Sequence, residues 1–382
     1  MTEKDQIVKS IGDTSFLEKR GIPKGCEYCL EGAKVVLFIN GICQRPQHCK
    51  WYCPISEKRR GKTDTYADEI KITEKRELLE EINKIDAKGM SITGGEPLIK
   101  DNLGKTIEYI KFVKQNMGSD FHIHLYTNGI NFNEEIAFNL SKAGLDEIRF
   151  HPPKERWNII KTAIDKGMKV GVEVPVIPQD NYIQLLKEFI IYLDKIRADF
   201  INLNEFEICF PNSKMLKKRG FTLKENSIAS VRGSKEKAIE ILKELKDKVT
   251  IKIHFCPIIA KDYYQLKNRY LRRANNIKRP FEEITDEGLL LFARVYGKDQ
   301  NIFKFYRWLL EVAYLPKRIC MLKDKQIFLP VYVALENEFI RNLHKLDLGC
   351  EIVEKTPFKR ETYFQITETT PLEVFKNEYE WS

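Results

Sequence analysis

The sequence contains no apolar run of the roughly 18 residues needed to cross a bilayer, and its opening MTEKDQIVKS lacks the apolar core of a signal peptide. Both absences point to a cytoplasmic protein with no membrane partner. No stretch is of low complexity and none repeats at a fixed period, which excludes solenoids, propellers and long disordered tails. Glutamine is scarce, and acids are outnumbered: 64 Lys and Arg stand against 55 Asp and Glu, giving a formal charge of +9 and a pI near 8.9. That balance would suit an anionic partner. A chain rich in Lys and Glu and poor in Gln is also characteristic of heat-adapted proteins, so the charge alone selects no partner. Cysteine is present in odd number, nine in all. In a reducing compartment such thiols read as ligands, nucleophiles or buried packing rather than as bridges.

At 382 residues and 43% hydrophobic, the chain can bury one large core and a smaller one. Short apolar runs alternate with amphipathic ones: VVLFIN then TEKRELLEEINKI, MSITGG then KTIEYIKFVKQ, FHIHLYTNG then NEEIAFNLSKAG, and so on through LDEIRFHP, KVGVEVPVI, FINLNEFEI and VTIKIHF. Strand alternating with helix predicts parallel strands with right-handed crossovers, an α/β partial (β/α)6 TIM-like barrel. Polar residues cluster at the strand ends, in TGGEP, YTNG, RFHP, NLNE and HFC, so these endings should converge on one mouth. We divide the chain into an N-terminal segment with a Cys-x-x-Cys turn (1–32), the barrel (33–255), a basic helical connector (256–280) and a small C-terminal α+β domain (281–382).

Directly after VVLFIN comes GICQRPQHCKWYCP, which places Cys43, Cys49 and Cys53 at the end of the first barrel strand. Three thiolates on one short loop can hold three irons of a four-iron cluster and leave the fourth open. A zinc site that borrows His48, or simple burial, are the competing readings. The next strand ends in ITGGEP, Ile92 to Pro97, where paired glycines let backbone approach a ligand and Glu96 can accept from an amine. Alone, this motif reads equally as a tight strand-to-helix turn.

The three-cysteine loop followed one β–α unit later by Gly94-Gly95-Glu96 resembles the radical SAM superfamily. Within it, GCEYCLEGAKVVLFINGIC and HFC followed by a KD-containing basic helix resemble uncharacterised archaeal proteins related to pyruvate formate-lyase activating enzymes. The resemblance spans roughly Ala33 to Phe255. It implies a 4Fe-4S cluster on Cys43, Cys49 and Cys53, with S-adenosylmethionine (SAM) on the open iron and its ammonium near Gly94, Gly95 and Glu96. It also implies that Tyr52 lies close to the adenine, that Thr127 and Asn128 lie beside the ribose, and that a ferredoxin or flavodoxin donates the electron. The chemistry implied is reductive cleavage of SAM to a 5′-deoxyadenosyl radical that abstracts hydrogen from a substrate. The cysteine spacing departs from the common family pattern: five and three residues intervene here instead of three and two, a longer loop that Pro46 would stiffen.

Strand alternation places further residues. In FHIHLYTNG, His122, His124, Tyr126 and Asn128 share one face, which should line the lumen. Arg149, His151, Glu173, Asn202 and Asn204 are polar strand-end groups, read either as cofactor or substrate contacts or as structural hydrogen bonds. Cys26-x-x-Cys29 has metal-knuckle spacing, and with Cys209 and Cys256 it could make a second site, zinc or a second Fe-S cluster; its alternative is a tight turn with two buried thiols. Cys320 and Cys350 read as packing. The connector carries Lys261, Lys267, Arg269, Arg272, Arg273, Lys278 and Arg279 interleaved with Tyr263, Tyr264 and Tyr270, a mix that suits phosphate contact and stacking but equally a solvated helix. The basic region mildly favours RNA or another anionic substrate, with a metabolite or a protein activation target open. The rival from another class is a non-catalytic, zinc-stabilised RNA-binding protein.

Overall fold

The computed structural model describes residues 5–45, 47–360 and 363–379. Pro46, expected to stiffen the cysteine loop, lies outside the described residues. Contacts divide the chain into two units, one of residues 1–83 and 87–266, the other of 84–86 and 267–382.

The first unit runs β1 (Ile7–Ser10), β2 (Thr14–Leu17), α1 (Lys24–Leu30), β3 (Lys34–Phe38), β4 (Thr65–Ala67), β5 (Ile70–Ile72), α2 (Lys75–Ile85), β6 (Gly89–Thr93), α3 (Lys100–Met117), β7 (His122–Thr127), α4 (Glu134–Ala143) and β8 (Glu147–Phe150). A 3-10 helix (Lys154–Ala163) then leads to β9 (Lys169–Val176), α5 (Asp180–Lys195), β10 (Phe200–Glu205), α6 (Ser213–Lys218), α7 (Ser234–Leu245) and β11 (Lys252–Cys256). Strands β3, β6, β7, β8, β9, β10 and β11 are parallel neighbours in that order, each joined to the next by a helical crossover. This is the partial (β/α) barrel: six β–α units and a closing seventh strand. All four residues of β8 are buried, as a strand covered on both faces requires.

Two hairpins cover the edges that such an open barrel leaves. β1 and β2 pair antiparallel and add to β11, while β4 and β5 pair antiparallel and add to β3. Sequence alternation did not reveal them, because strands of three or four residues show too few alternations. They occupy backbone groups of β11 and β3 that would otherwise be free to pair with another chain.

Helix α1 begins after Pro23 and packs against the lumen: Gly25 N lies 3.4 Å from Glu147 Oε2, and Leu30 at its other end packs with Cys256 and Ala260. Gly25 permits this: a Cβ there would stand 2.5 Å from both Arg149 Nη2 and His124 Nδ1. The stretch expected as a 256–280 connector is divided, with a π-helical turn (Ala260–Gln265) in the first unit and nearly all of α8 (Leu266–Ile277) in the second.

The second unit continues with β12 (Glu283–Ile284), β13 (Leu290–Tyr296), α9 (Asp299–Glu311), β14 (Met321–Lys323), β15 (Gln326–Leu329), α10 (Val331–Ala334), α11 (Asn337–Lys345), β16 (Gly349–Arg360), β17 (Tyr363–Pro371) and α12 (Leu372–Tyr379). Its antiparallel sheet runs β14, β15, β13, β16, β17, with β12 on β13, around a core that includes Val295, Ile302, Phe305, Leu329 and Phe339. This is a small α+β unit in which Cys320 and Cys350 are buried packing. Two arginines of α8 are occupied within the unit: Arg272 Nε donates to Ile85 O (3.0 Å) and its guanidinium pairs with Asp86, while Arg273, 5% exposed, donates to Pro357 O (2.7 Å). No helix among the described residues is long and apolar enough to cross a membrane.

Candidate active site at the strand ends

The cysteine loop leaves β3 at Asn40 and is clamped before its first thiol. Gly41 and residues 61–62 exchange backbone bonds of 2.8 Å, and a Cβ on Gly41 would lie 1.7 Å from Arg59 O. At the far end Arg60 Nη2 donates to Cys53 O and Ile55 O (both 3.1 Å), and Asn212 Nδ2 donates to Tyr52 O (3.0 Å). Trp51 anchors the middle, stacked on Phe221 and covered by the Arg219 guanidinium 4.2 Å from its ring. The Tyr52 hydroxyl meets His151 Nε2 at 2.8 Å, which orients the phenol.

The paired glycines of the next strand end meet the chain's own backbone. Gly95 N donates to Asn40 O (2.8 Å) and Glu96 N to Ile42 O (2.9 Å), and Cβ atoms on Gly94 and Gly95 would stand 2.7 Å from Asn40 O and 2.1 Å from Ile42 O. Their close approach therefore seats the start of the cysteine loop on β6. Asn40 and Asn102, which no motif marked, exchange side-chain bonds of 2.6 and 3.0 Å, and Asn102 also donates to Glu96 O (2.9 Å).

Glu96 is 2% exposed. Its carboxylate accepts from Leu98 N (3.0 Å), Thr127 Oγ1 (2.8 Å) and Asn128 N (2.8 Å). Burial raises its pKa to about 7, and those three bonds work against the rise. The Thr127-Asn128-Gly129 ending is thus tied to the Gly-Gly-Glu ending of the neighbouring strand, with Gly129 in the left-handed region (φ +74°) at the turn.

These groups surround one cavity of about 350 Å³. Cys43, Cys49, Tyr52, Cys53, Gly94, Gly95, Glu96, Thr127, Asn128, Arg149, His151, Glu173 and Asn204 all line it, joined by Tyr126, Glu205, Glu207 and Lys261. Asn202 does not line it: one step deeper on β10, it donates to Glu173 Oε2 (3.0 Å) and to Cys26 Sγ (3.2 Å). Arg149 pairs with Glu147 (2.5 Å) and Glu173 (2.7 Å), so its charge is spent within the lumen wall. Alternation gave the face of these residues correctly; depth along the strand divides cavity wall from support.

Of the four thiols considered for a second metal site, Cys26, Cys29 and Cys256 lie near enough to interact electrostatically, and Cys209 stands apart from them. Cys26 is buried under Arg149 and Asn202, burial holding its pKa well up, while Cys209 sits on the mouth side and feels the charges of Glu207 and Cys53. Among the described residues no three His, Cys, Asp or Glu side chains converge on one ion position. Cys43, Cys49 and Cys53 are half-buried and near enough to interact electrostatically: burial, with the neighbouring thiols adding to it, pushes Cys49 up to about 12. A four-iron cube holds its cysteines at separate corners, so thiols that line one cavity without meeting at a point fit it. A tetrahedral zinc ion would need them to converge.

The radical SAM superfamily model matches residues 20–189. A Methanocaldococcus jannaschii protein, named as a candidate glycyl-radical enzyme activating enzyme, is 38% identical over 321 residues, which is 78% of this chain and 82% of the relative. GTP 3′,8-cyclase of Corynebacterium glutamicum is 37% identical over 65 residues, 17% of each chain. Among solved structures, Streptococcus suis SuiB overlays with a TM-score of 0.41 at 12% identity, covering 68% of this chain and 59% of its own. Coproporphyrinogen III oxidase of Escherichia coli overlays with a TM-score of 0.35 at 10% identity, covering 61% of this chain and 57% of its own.

Proposed function

The chain belongs to the radical SAM superfamily, whose cofactors are a 4Fe-4S cluster and SAM, and we propose that it abstracts hydrogen from a protein substrate, as an activating enzyme does. The observation that carries this is the wall of the cavity opposite Glu96. Glu173, Asn204, Glu205 and Glu207 line it, and of its two cations Arg149 is already paired. A carboxylate- and amide-rich wall repels phosphate and suits the N–H and C=O groups of a polypeptide. The engagement of Arg272 and Arg273 likewise takes weight from RNA as the substrate, and the relative's name points to a protein target.

When bound, the cofactors supply a 5′-deoxyadenosyl radical by one-electron reduction from a ferredoxin or flavodoxin. The protein's part is positioning, exclusion of water and shielding. Cys43, Cys49 and Cys53 would hold the cluster as thiolates, which for Cys43 and Cys49 requires removal of the protons their burial favours. Glu96, oriented by three donors, would receive the SAM ammonium; Thr127 and Asn128 would lie at the ribose, and Tyr52, held by His151, at the adenine.

The test uses anaerobically reconstituted protein, SAM, a strong reductant and an extract of the source cells grown in deuterated medium. Deuterium should enter 5′-deoxyadenosine, and protease treatment of the extract should abolish the transfer. Transfer abolished by ribonuclease instead would return the substrate to RNA. Survival of the transfer in extract filtered free of macromolecules would point to a metabolite.

A further inference from the structure

Two charged groups that line the site cavity have no part in the cofactor assignments: Glu207, on the segment after β10, and Lys261, after β11. Their neighbours in the wall are already engaged. Glu173 accepts from Arg149, Asn202 and Asn204, and the buried Glu205 accepts from Ile258 N (2.9 Å). Among the described residues, by contrast, no hydrogen bond or ion pair is made by the Lys261 ammonium or by the Glu207 carboxylate.

The backbone, rather than a side-chain contact, delivers Lys261 to the cavity. It is the second residue of the π-helical turn Ala260–Gln265, a widened turn of a kind that recurs at functional sites. The approach to that turn is held by Glu205 through Ile258. Ala260 is buried with Leu30 and Cys256, and Gly12 (φ +65°) packs so closely that a Cβ there would stand 2.7 Å from Ala260 Cα. The turn is therefore seated while the ammonium at the end of its side chain keeps its donors.

The charges around Lys261 select what it can meet. Burial opposes its charge, but Glu207 and then Cys256, Glu173 and Asp262 outweigh the burial and hold its pKa above the ordinary 10.5. It stays a donor at neutral pH. A carboxylate or phosphate brought to it would face Glu173, Glu207 and Asp262 and be repelled. A neutral carbonyl oxygen escapes that repulsion and still gains a charge-assisted hydrogen bond. Glu207 offers the opposite polarity, an acceptor for an N–H.

We propose that Lys261 donates to a main-chain carbonyl of the substrate and Glu207 accepts from a main-chain N–H, so that the pair grips the substrate by its backbone. The inference rests on the reading of a polypeptide substrate and narrows it: this wall recognises the peptide group rather than a charged side chain. Both residues hold and position, and no proton is transferred.

The experiment is the deuterium-transfer assay over a dilution series of the deuterated extract, with native protein, Lys261→Met, Lys261→Arg and Glu207→Gln, each reconstituted anaerobically. Lys261→Met should raise the extract concentration that gives half-maximal transfer about tenfold or more, since a charged donor is lost. Lys261→Arg, which still donates, should stay within about threefold of native, and Glu207→Gln, which accepts without charge, should fall between the two. The EPR shift caused by SAM, and the rate of SAM cleavage without extract, should be native in all three variants. Loss of that shift in Lys261→Met would give the lysine to SAM and overturn the inference. So would half-maximal transfer by Lys261→Met within about twofold of native while protease treatment of the extract still abolishes transfer. If protease treatment leaves the native protein's transfer intact, it is the polypeptide reading that falls, and the peptide carbonyl falls with it.

Discussion

The two ends of the lumen are built from the same strands and treat their polar groups oppositely. At the lower end Lys34, Glu147 and Asn202 are buried and each is met by protein partners. At the mouth the three thiols are half-buried and Glu96 keeps acceptor capacity beyond its three donors. Groups that satisfy one another hold a barrel closed; groups left partly unsatisfied at a strand end are available to a ligand. Polarity alone does not separate the two roles, because both ends are equally rich in charge. The distinction is whether a donor or acceptor remains free.

The largest effect expected from this contrast is all-or-none. Replacing Cys43, Cys49 and Cys53 together by alanine should remove all iron and sulfide from anaerobically reconstituted protein, whereas Cys26→Ala with Cys29→Ala at the lower end should leave both contents at the native level. Next comes Gly95→Ala. Its methyl would stand 2.1 Å from Ile42 O, so either β6 or the cysteine loop must shift, at a cost of about 3 kcal/mol. Urea denaturation should register the loss, and iron content should fall with it.

The pH dependence of stability should carry opposite signs at the two ends. Glu147, held down to about 2 by Arg149 against its burial, contributes stability that is present above its ordinary 4.5 and is lost as pH falls through 2. Glu96, raised to about 7, binds more protons folded than unfolded between 4.5 and 7, so its contribution declines as pH rises across that window. Each is worth on the order of 3 kcal/mol. Relative to native protein, Glu147→Gln should lose stability from pH 2 to 4.5 and Glu96→Gln should gain it from 4.5 to 7, read from urea midpoints; slopes of the same sign would erase the contrast. The smallest effect belongs to the second unit: Lys278→Ala with Arg279→Ala should change stability by less than about 0.5 kcal/mol and leave deuterium transfer intact. A marked drop in transfer would restore the basic region to the substrate question.

Much of the mouth was legible because strand ends announce themselves. The loop after VVLFIN and the ends of MSITGGEP and FHIHLYTNG line the cavity, as the convergence of parallel strands requires. Three things were not legible. Asn202 and Asn204 have identical alternation, and how deep along β10 the cavity wall reaches is set by the packing around it, which leaves Asn204 in the wall and Asn202 on Glu173 and Cys26. Lys34 precedes an apolar run and reads as a solvated strand start; its partners His122 and His124 are about ninety residues away and only β3–β6–β7 pairing brings them together. Gly94 and Gly95 line the cavity and also meet the Asn40–Ile42 backbone, an encounter that depends on the path of the loop rather than on its composition.

The central claim is that the mouth holds a cluster with one iron accessible to SAM. The direct measurement is the low-temperature EPR spectrum of the dithionite-reduced, reconstituted protein with and without SAM. A single 4Fe-4S signal whose g-values shift when SAM is added, and which is absent from the Cys43/Cys49/Cys53 alanine variant, is the predicted result. A cluster signal that ignores SAM, or one that persists in the variant, would contradict it.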